Sequence, residues 1–442
     1  MENKEMCFTD VIDNYVNTLK AQIDSAPVII NTLLSRGFAN NKKLADFISE
    51  NGIDEEGEEK NTKSIPEEKM NVFYKLSKNT GNAFAALELF QKNMVVSLMC
   101  IYDAFLGDLI RLIYMHKPEL LNACEKNFTF SEIVKYESIE KIKEKIIEKE
   151  VECVLRNSHA EQFSWISKKL GNVPLTNNLP SFKDFIEISE RRNLFVHTGG
   201  IVSEQYIEVC KKYGSIIENK VGDNLDAPYD YIKHSFEILL EIGVKLSQVV
   251  WRVVGGDVGM RDADKHLNWI TYDLLNEGKL DVAQVLLDFA VEPYIKHKDQ
   301  MIEYMHKINR ALCLYMRGKK NECILVLDKI DLSAVDVQFK LADAVLREKY
   351  ESAIHFMEPF AQSSEYGSEV YDEWPLFRQF IKDQGFKNEY KRIYGKEFEC
   401  VDCRPVKWEE TVQSALQIIK EVEQRKAKLR KESLANDEQG PE

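Results

Sequence analysis

Arg192-Asn193-Leu194-Phe195-Val196-His197 places a permanent cation, an amide and an imidazole within two helical turns, just ahead of Gly199-Gly200. A guanidinium stabilises charge on a phosphoryl group, and an imidazole moves a proton near neutral pH. Together the two groups have the chemistry to cleave RNA without a metal ion. Spacing alone does not single this pair out, because Arg111 with His116 and Arg261 with His266 repeat it. Context does. On a helix, positions i, i+3 and i+7 share a face, so Glu190, Asn193 and His197 line up with Arg192 on the flank. Phe185, Ile188, Leu194, Phe195 and Val196 fill the remaining circumference and can anchor the helix in a core. Arg111 and His116 instead end a long apolar helix, where cations complement the carbonyl terminus. Arg261-Asp262-Ala263-Asp264-Lys265-His266 follows the glycine pair Gly255-Gly256 and reads as a charged, exposed first turn.

The elements that must position the motif are helical. Ser181 offers an N-cap, with Asp184 three residues on, and a motif helix is predicted from there. Residues 8–50 read as two helices, carrying Val11, Val16 and Leu19, then Ile29, Ile30, Leu33 and Leu34. Residues 52–69 are charged without apolar periodicity and read as a solvated loop, with helix returning near Pro66. The pattern is strongly helical from 70 to 118. Between Leu98 and Ile113 it is apolar on most of its circumference, interrupted by Asp103 and Asp108, as in the central helix of a bundle. Shorter helices fit 130–148 and 160–170, and another runs over 228–254.

After Gly255-Gly256 a degenerate repeat begins. Leu274-Leu275-Asn276-Glu277-Gly278-Lys279 leads to Ala283, Leu314-Tyr315-Met316-Arg317-Gly318-Lys319 to Cys323, and Leu346-Arg347-Glu348-Lys349 to Ala353. Each unit reads as helix, tight turn and helix, with a small side chain allowing close packing. The steps are irregular, but the texture resembles tetratricopeptide-type repeats and predicts an α-solenoid. A last helix is expected over 408–432, then a frayed tail. The expected segments are therefore 1–69, N-terminal helices and loop; 70–255, the motif domain; 256–400, the solenoid; and 401–442, a C-terminal helix and tail.

Composition sets the class. The chain has 442 residues, 44% hydrophobic and 30% charged, with 11 prolines and 20 glycines. That suits long helices better than a turn-rich β architecture. A formal net charge of -14 argues against a general nucleic-acid coat, although a local cationic cleft is compatible with it. Met1-Glu2-Asn3-Lys4-Glu5 has none of the character of a secretory signal, and no apolar run has the length of a membrane span. Nine scattered cysteines, with Cys100, Cys313 and Cys323 inside helical patterns, suit core thiols in a reducing cytosol. A cytoplasmic protein that avoids membranes is expected.

Other candidates are weaker. Cys400 and Cys403 form a single Cys-x2-Cys pair without the second pair that zinc needs. The aromatics around Trp374, Phe377 and Phe380 suit core packing, and the basic run Arg425–Lys431 suits a solvated helix end. His234, His297, His306 and His355 show no partner that makes a catalytic set. No phosphate-cradling glycine loop or serine-nucleophile elbow is present.

Between about residues 80 and 255 the chain resembles the HEPN superfamily (higher eukaryotes and prokaryotes nucleotide-binding), small all-α domains that often act as ribonucleases. The resemblance rests on Arg192-Asn193-Leu194-Phe195-Val196-His197, on Glu190-Arg191 before it and Thr198-Gly199-Gly200 after it, and on Tyr206 downstream. Asp103 stands near the place where many members carry an acidic residue. It implies an all-α HEPN-like bundle followed by the solenoid, and a metal-independent endoribonuclease leaving 2′,3′-cyclic phosphate ends. Arg192 and His197 would be catalytic, and Asn193, Glu190 and Asp103 supporting, with no metal or cofactor. It also implies a homodimer with a composite site, an RNA substrate, a protein partner on the solenoid, and a toxin or anti-phage role. A noncatalytic scaffold, in which the bundle dimerises and the solenoid binds a protein, is the competing expectation.

Overall fold

The computed structural model describes residues 6–54, 63–123, 138–333, 335–363 and 367–399, together with 417 and 421. Among these the chain is all-α. Its named strands are the two-residue antiparallel pair Ile53–Asp54 and Lys63–Ser64. Apart from residues 417 and 421, the expected helix over 408–432 lies outside the described residues, as do its basic run and the Cys400–Cys403 pair.

Residues 8–50 form one helix rather than the two expected, α1 (Phe8–Asn51), which passes through Pro27. Ile12, Leu19, Ile23, Ala26, Ile30 and Leu34 make a buried stripe on both sides of that proline. An interior proline costs about 3 kcal/mol. Each buried aliphatic side chain contributes about 1.5–3 kcal/mol, so the continuous stripe wins. The solvated-loop segment holds the small strand pair and a single 3-10 turn, Glu67–Lys69, after Pro66. Then α2 (Met70–His116) runs almost to Pro118, which disfavours helical geometry at the residue before it.

Next come α3 (Ile139–Leu155) and α4 (His159–Lys169). The former continues past the expected end because Val151 and Val154 are buried, and Ser138 caps its start. Ser158 and Glu161 close a capping box on α4. The motif helix is α5 (Phe182–His197), followed by α6 (Glu204–Lys212) and α7 (Tyr229–Val254).

Three helical hairpins follow: α8 (Gly256–Asn276) with α9 (Leu280–Ala290), α10 (Gln300–Met316) with α11 (Lys320–Leu327), and α12 (Val337–Leu346) with α13 (Tyr350–Ser363). Their turns repeat one hydrogen bond, from Lys279, Lys319 and Lys349 N–H to the carbonyls of Leu274, Leu314 and Ala344, each 2.9 Å. The turn needs a left-handed residue, supplied by Gly278, Gly318 and, in the third copy, Glu348 at φ 57°. Ala283, Cys323 and Ala353 are buried at equivalent places. A helical turn α14 (Val370–Glu373), two 3-10 turns and α15 (Gln384–Tyr394) complete the described chain. Phe377 and Phe380 are fully buried there, as core packing requires.

Contacts divide the chain into two compact units, each assembled from separate stretches. Among the described residues the first takes the chain up to Tyr15, Asp103–Ser181 and the stretch from Glu237 to Glu399; the second takes Val16–Tyr102, Phe182–Phe236 and residues 417 and 421. In the first unit, Tyr15 stacks on Phe105 with centroids 4.1 Å apart and donates to the Leu239 carbonyl at 2.6 Å. Gly243 permits this, since a Cβ there would stand 2.2 Å from the Tyr15 ring. In the second unit, Leu87, Val95, Leu98 and Tyr102 of α2 are buried, and Tyr102 meets Phe185 edge-on at 4.9 Å. Cys313 and Cys323 are core thiols as expected, but Cys100 is exposed. Among the described residues no helix is long and apolar enough to cross a membrane.

Candidate functional site

Helix α5 buries Phe182, Phe185, Ile186, Ile188, Ser189 and Leu194, leaving a stripe that is half-buried at Glu190, Arg192 and Asn193 and exposed at His197. The helix stops because Gly199 and Gly200 take φ 66° and 106°. The Leu194 carbonyl gathers the Thr198 N–H, the Thr198 hydroxyl and the Gly200 N–H at 2.8–3.0 Å. A Cβ at Gly200 would lie 2.9 Å from Asn224 Oδ1 and from the Leu225 carbonyl. The turn after His197 is thereby held tightly to the segment before α7. Beneath it, Leu194, Val202, Tyr206, Cys210 and Leu225 form a small core.

A buried ionic network fixes the same helix one turn earlier. Glu187 accepts from Arg191 Nε at 2.7 Å and from the Tyr206 and Tyr231 hydroxyls at 2.6 and 2.7 Å. Arg191 also donates to the Asp226 carbonyl at 3.1 Å and lies 4.0 Å over the Tyr231 ring. Burial, reinforced by the Glu187 charge, pushes both phenols well above the ordinary tyrosine range, so they remain donors. The adjacent arginines therefore have separate work: Arg191 anchors the helix, and Arg192 lies on the half-buried stripe beside Asn193. Burial and the charges of Glu187 and Glu190 raise the Cys210 thiol to about 12.

Sequence reasoning missed Lys92. From α2 it donates to the Gly199 carbonyl at 2.9 Å, pairs with Glu88 at 2.8 Å, and stands 5.8 Å from the Phe195 ring centroid. It adds a cation to the turn that follows His197. No motif marked it, because it lies 107 residues from Gly199. Val196 and Ile201, on either side of His197, are 52% and 43% exposed. Asp103 belongs to the other unit, and its carboxylate lies 3.0 Å from His159 Nε2.

The rival pairs are engaged differently. Arg111 makes two hydrogen bonds to Glu148, at 2.7 and 2.6 Å, and a third to Asp108. His116 contacts its own helix through the Leu112 carbonyl. The segment holding Arg261 and His266 is not a first turn, since α8 begins at Gly256. Arg261 is exposed, but His266 is buried and lies 2.9 Å from Asp13, correcting the expectation of a wholly solvated stretch. His116 and His266 share a cavity of about 940 Å³ with Phe8, Asp13, Lys265 and Trp251, a meeting that neither spacing announced.

No protein-family profile, curated protein or solved structure matches this chain.

Proposed function

We propose that the protein is a metal-independent endoribonuclease of HEPN type, acting through Arg192 and His197. The observation that carries the reading is the end of α5: His197 exposed, with Arg192 and Asn193 half-buried behind it, on a helix clamped by Glu187 and closed by Gly200. Such fixation matters because a misplacement of about 1 Å can cost on the order of 100-fold in rate.

In this mechanism His197 removes the proton from a ribose 2′-hydroxyl, whose oxygen attacks the adjacent phosphorus in line. Arg192 binds the nonbridging oxygens as charge builds on them. Asn193 orients the phosphate or the imidazole, and Glu190 steadies the guanidinium. The bond to the 5′-oxygen breaks, leaving a 2′,3′-cyclic phosphate. The departing oxygen needs a proton, which the histidine of a second copy supplies in a composite site. A homodimer that pairs two copies of this helix end meets that requirement. The hairpins from Gly256 onward would form the α-solenoid that senses a protein partner, the arrangement of a toxin or anti-phage effector.

The test incubates labelled tRNA or mRNA with wild type, Arg192→Ala and His197→Ala, with and without EDTA, and analyses the new ends. Cleavage by wild type alone, leaving cyclic phosphates, is expected. Equal cleavage by all three removes the assignment, and a stable protein complex without cleavage or growth toxicity supports the scaffold reading instead.

A further inference from the structure

Far along the chain from the motif, three metal-ligating side chains come together: Asp264 of α8, His297 from the connection after α9, and His306 of α10. A carboxylate oxygen and an imidazole nitrogen from each histidine all lie within 4.8 Å of one another. Asp264 and His306 are fully buried, and the His297 side chain is 5% exposed.

Several of these polar atoms are left over. His306 has no hydrogen-bond partner of acceptable geometry at either ring nitrogen, although the Asp264 main chain passes close by. Asp264 Oδ2 is buried without a partner, while Oδ1 takes Arg252 and His297. A site that required only volume would be filled by leucine or phenylalanine, because an unsatisfied imidazole in the core is costly. His297 is oriented as ligating histidines are. Its Nε2–H donates to the Ala290 carbonyl at 2.8 Å, and Nδ1 faces the Asp264 carboxylate at 3.0 Å. Ligands on a zinc-sized ion stand about 3.0–3.4 Å apart when bonds are about 2.0–2.1 Å, so donor atoms that all lie within 4.8 Å of one another need to close in by only a modest shift.

We propose that Asp264, His297 and His306 bind one divalent transition-metal ion of the zinc class. The ion takes Asp264 Oδ2, one nitrogen of His306, and His297 Nδ1, releasing the Nδ1 proton to solvent. Arg252 keeps its hold on Oδ1 and on Gln248, fixing the carboxylate from outside. Two imidazoles with one carboxylate select zinc, cobalt or nickel over magnesium and calcium, which prefer all-oxygen sites. The ion joins the first helical hairpin to the second. This goes beyond the ribonuclease reading and is independent of it.

The full chain, purified without a histidine tag, is dialysed and its metal content measured by mass spectrometry. EDTA-treated protein is then titrated with zinc chloride while Tm is followed, and with cobalt chloride while visible absorption is followed. One ion per chain, a zinc-dependent rise of several degrees in Tm, and d–d absorption from bound cobalt are expected. Asp264→Asn and His306→Leu should lose all three responses. Wild type with background metal, no thermal shift and no cobalt band overturns the proposal. Zinc binding undiminished in both variants overturns it too, because the ion then sits elsewhere; this comparison also controls for the exposed cysteines.

Discussion

Replacing Glu187 with alanine removes the acceptor shared by Arg191, Tyr206 and Tyr231. The Arg191 and Glu187 side chains are 16% and 13% exposed, so water compensates little. Deleting one partner of a buried ion pair costs about 3–5 kcal/mol. The two phenols lose their acceptor in the same event and share it with the arginine, so their losses are not independent and add about 1 kcal/mol together. Glu187→Ala should therefore cost about 4–6 kcal/mol, a large part of the 5–15 kcal/mol typical of a domain. Two milder changes keep the test within reach of a folded protein. Glu187→Gln retains an acceptor but loses the charge and should cost about 2–3 kcal/mol, and Tyr231→Phe about 1–2 kcal/mol. Urea unfolding followed by circular dichroism gives each value from midpoint and slope. The network argument fails if Glu187→Gln and Tyr231→Phe both unfold within about 0.5 kcal/mol of wild type, the range of an inconsequential surface change.

Gly200→Ala should destabilise far more than Gly199→Ala: both glycines have positive φ, but only at Gly200 would a Cβ press on Asn224 and Leu225. We expect about 1 kcal/mol at Gly199 and at least about 3 at Gly200 by the same unfolding measurement, and equal losses would contradict it. Gly243→Ala, which drives a methyl into the Tyr15 ring, should lower stability by about 2–4 kcal/mol; a neutral result in the melting curve would show that α1 can retreat at no cost. The six described thiols should divide cleanly in alkylation mapped by mass spectrometry at pH 8. Cys7, Cys100 and Cys153 react, whereas Cys210, Cys313 and Cys323, raised to about 12, 12 and 11 chiefly by burial, stay unmodified until the chain unfolds.

Features encoded locally were legible in the sequence. Helices α2 and α7 show in their apolar period, Pro118 marks the stop of the first, and Gly278 and Gly318 betray the hairpin turns. Glu348 hides the third, because its left-handed conformation sits on a residue that rarely adopts it; the contacts of its carboxylate with Tyr315 and Lys320 accompany that conformation. Distant associations were not legible. Glu187 meets Tyr231 across 44 residues, and Asp264 meets His297 across 33, so neither cluster has a spacing to recognise. The two neighbouring arginines illustrate the boundary. The motif picks out Arg192, but only packing shows that Arg191 holds the helix while Arg192 is left on the stripe with His197.

The central claim is that Arg192 and His197 cleave RNA, and the cleavage rate constant of His197→Ala against wild type tests it most directly. Both proteins are matched for folding by circular dichroism and assayed on the same end-labelled RNA. Removing the proton carrier should lower the rate at least about 100-fold, with Arg192→Ala falling comparably and the melting temperature nearly unchanged for the exposed histidine. Undiminished cleavage by well-folded His197→Ala would contradict the account.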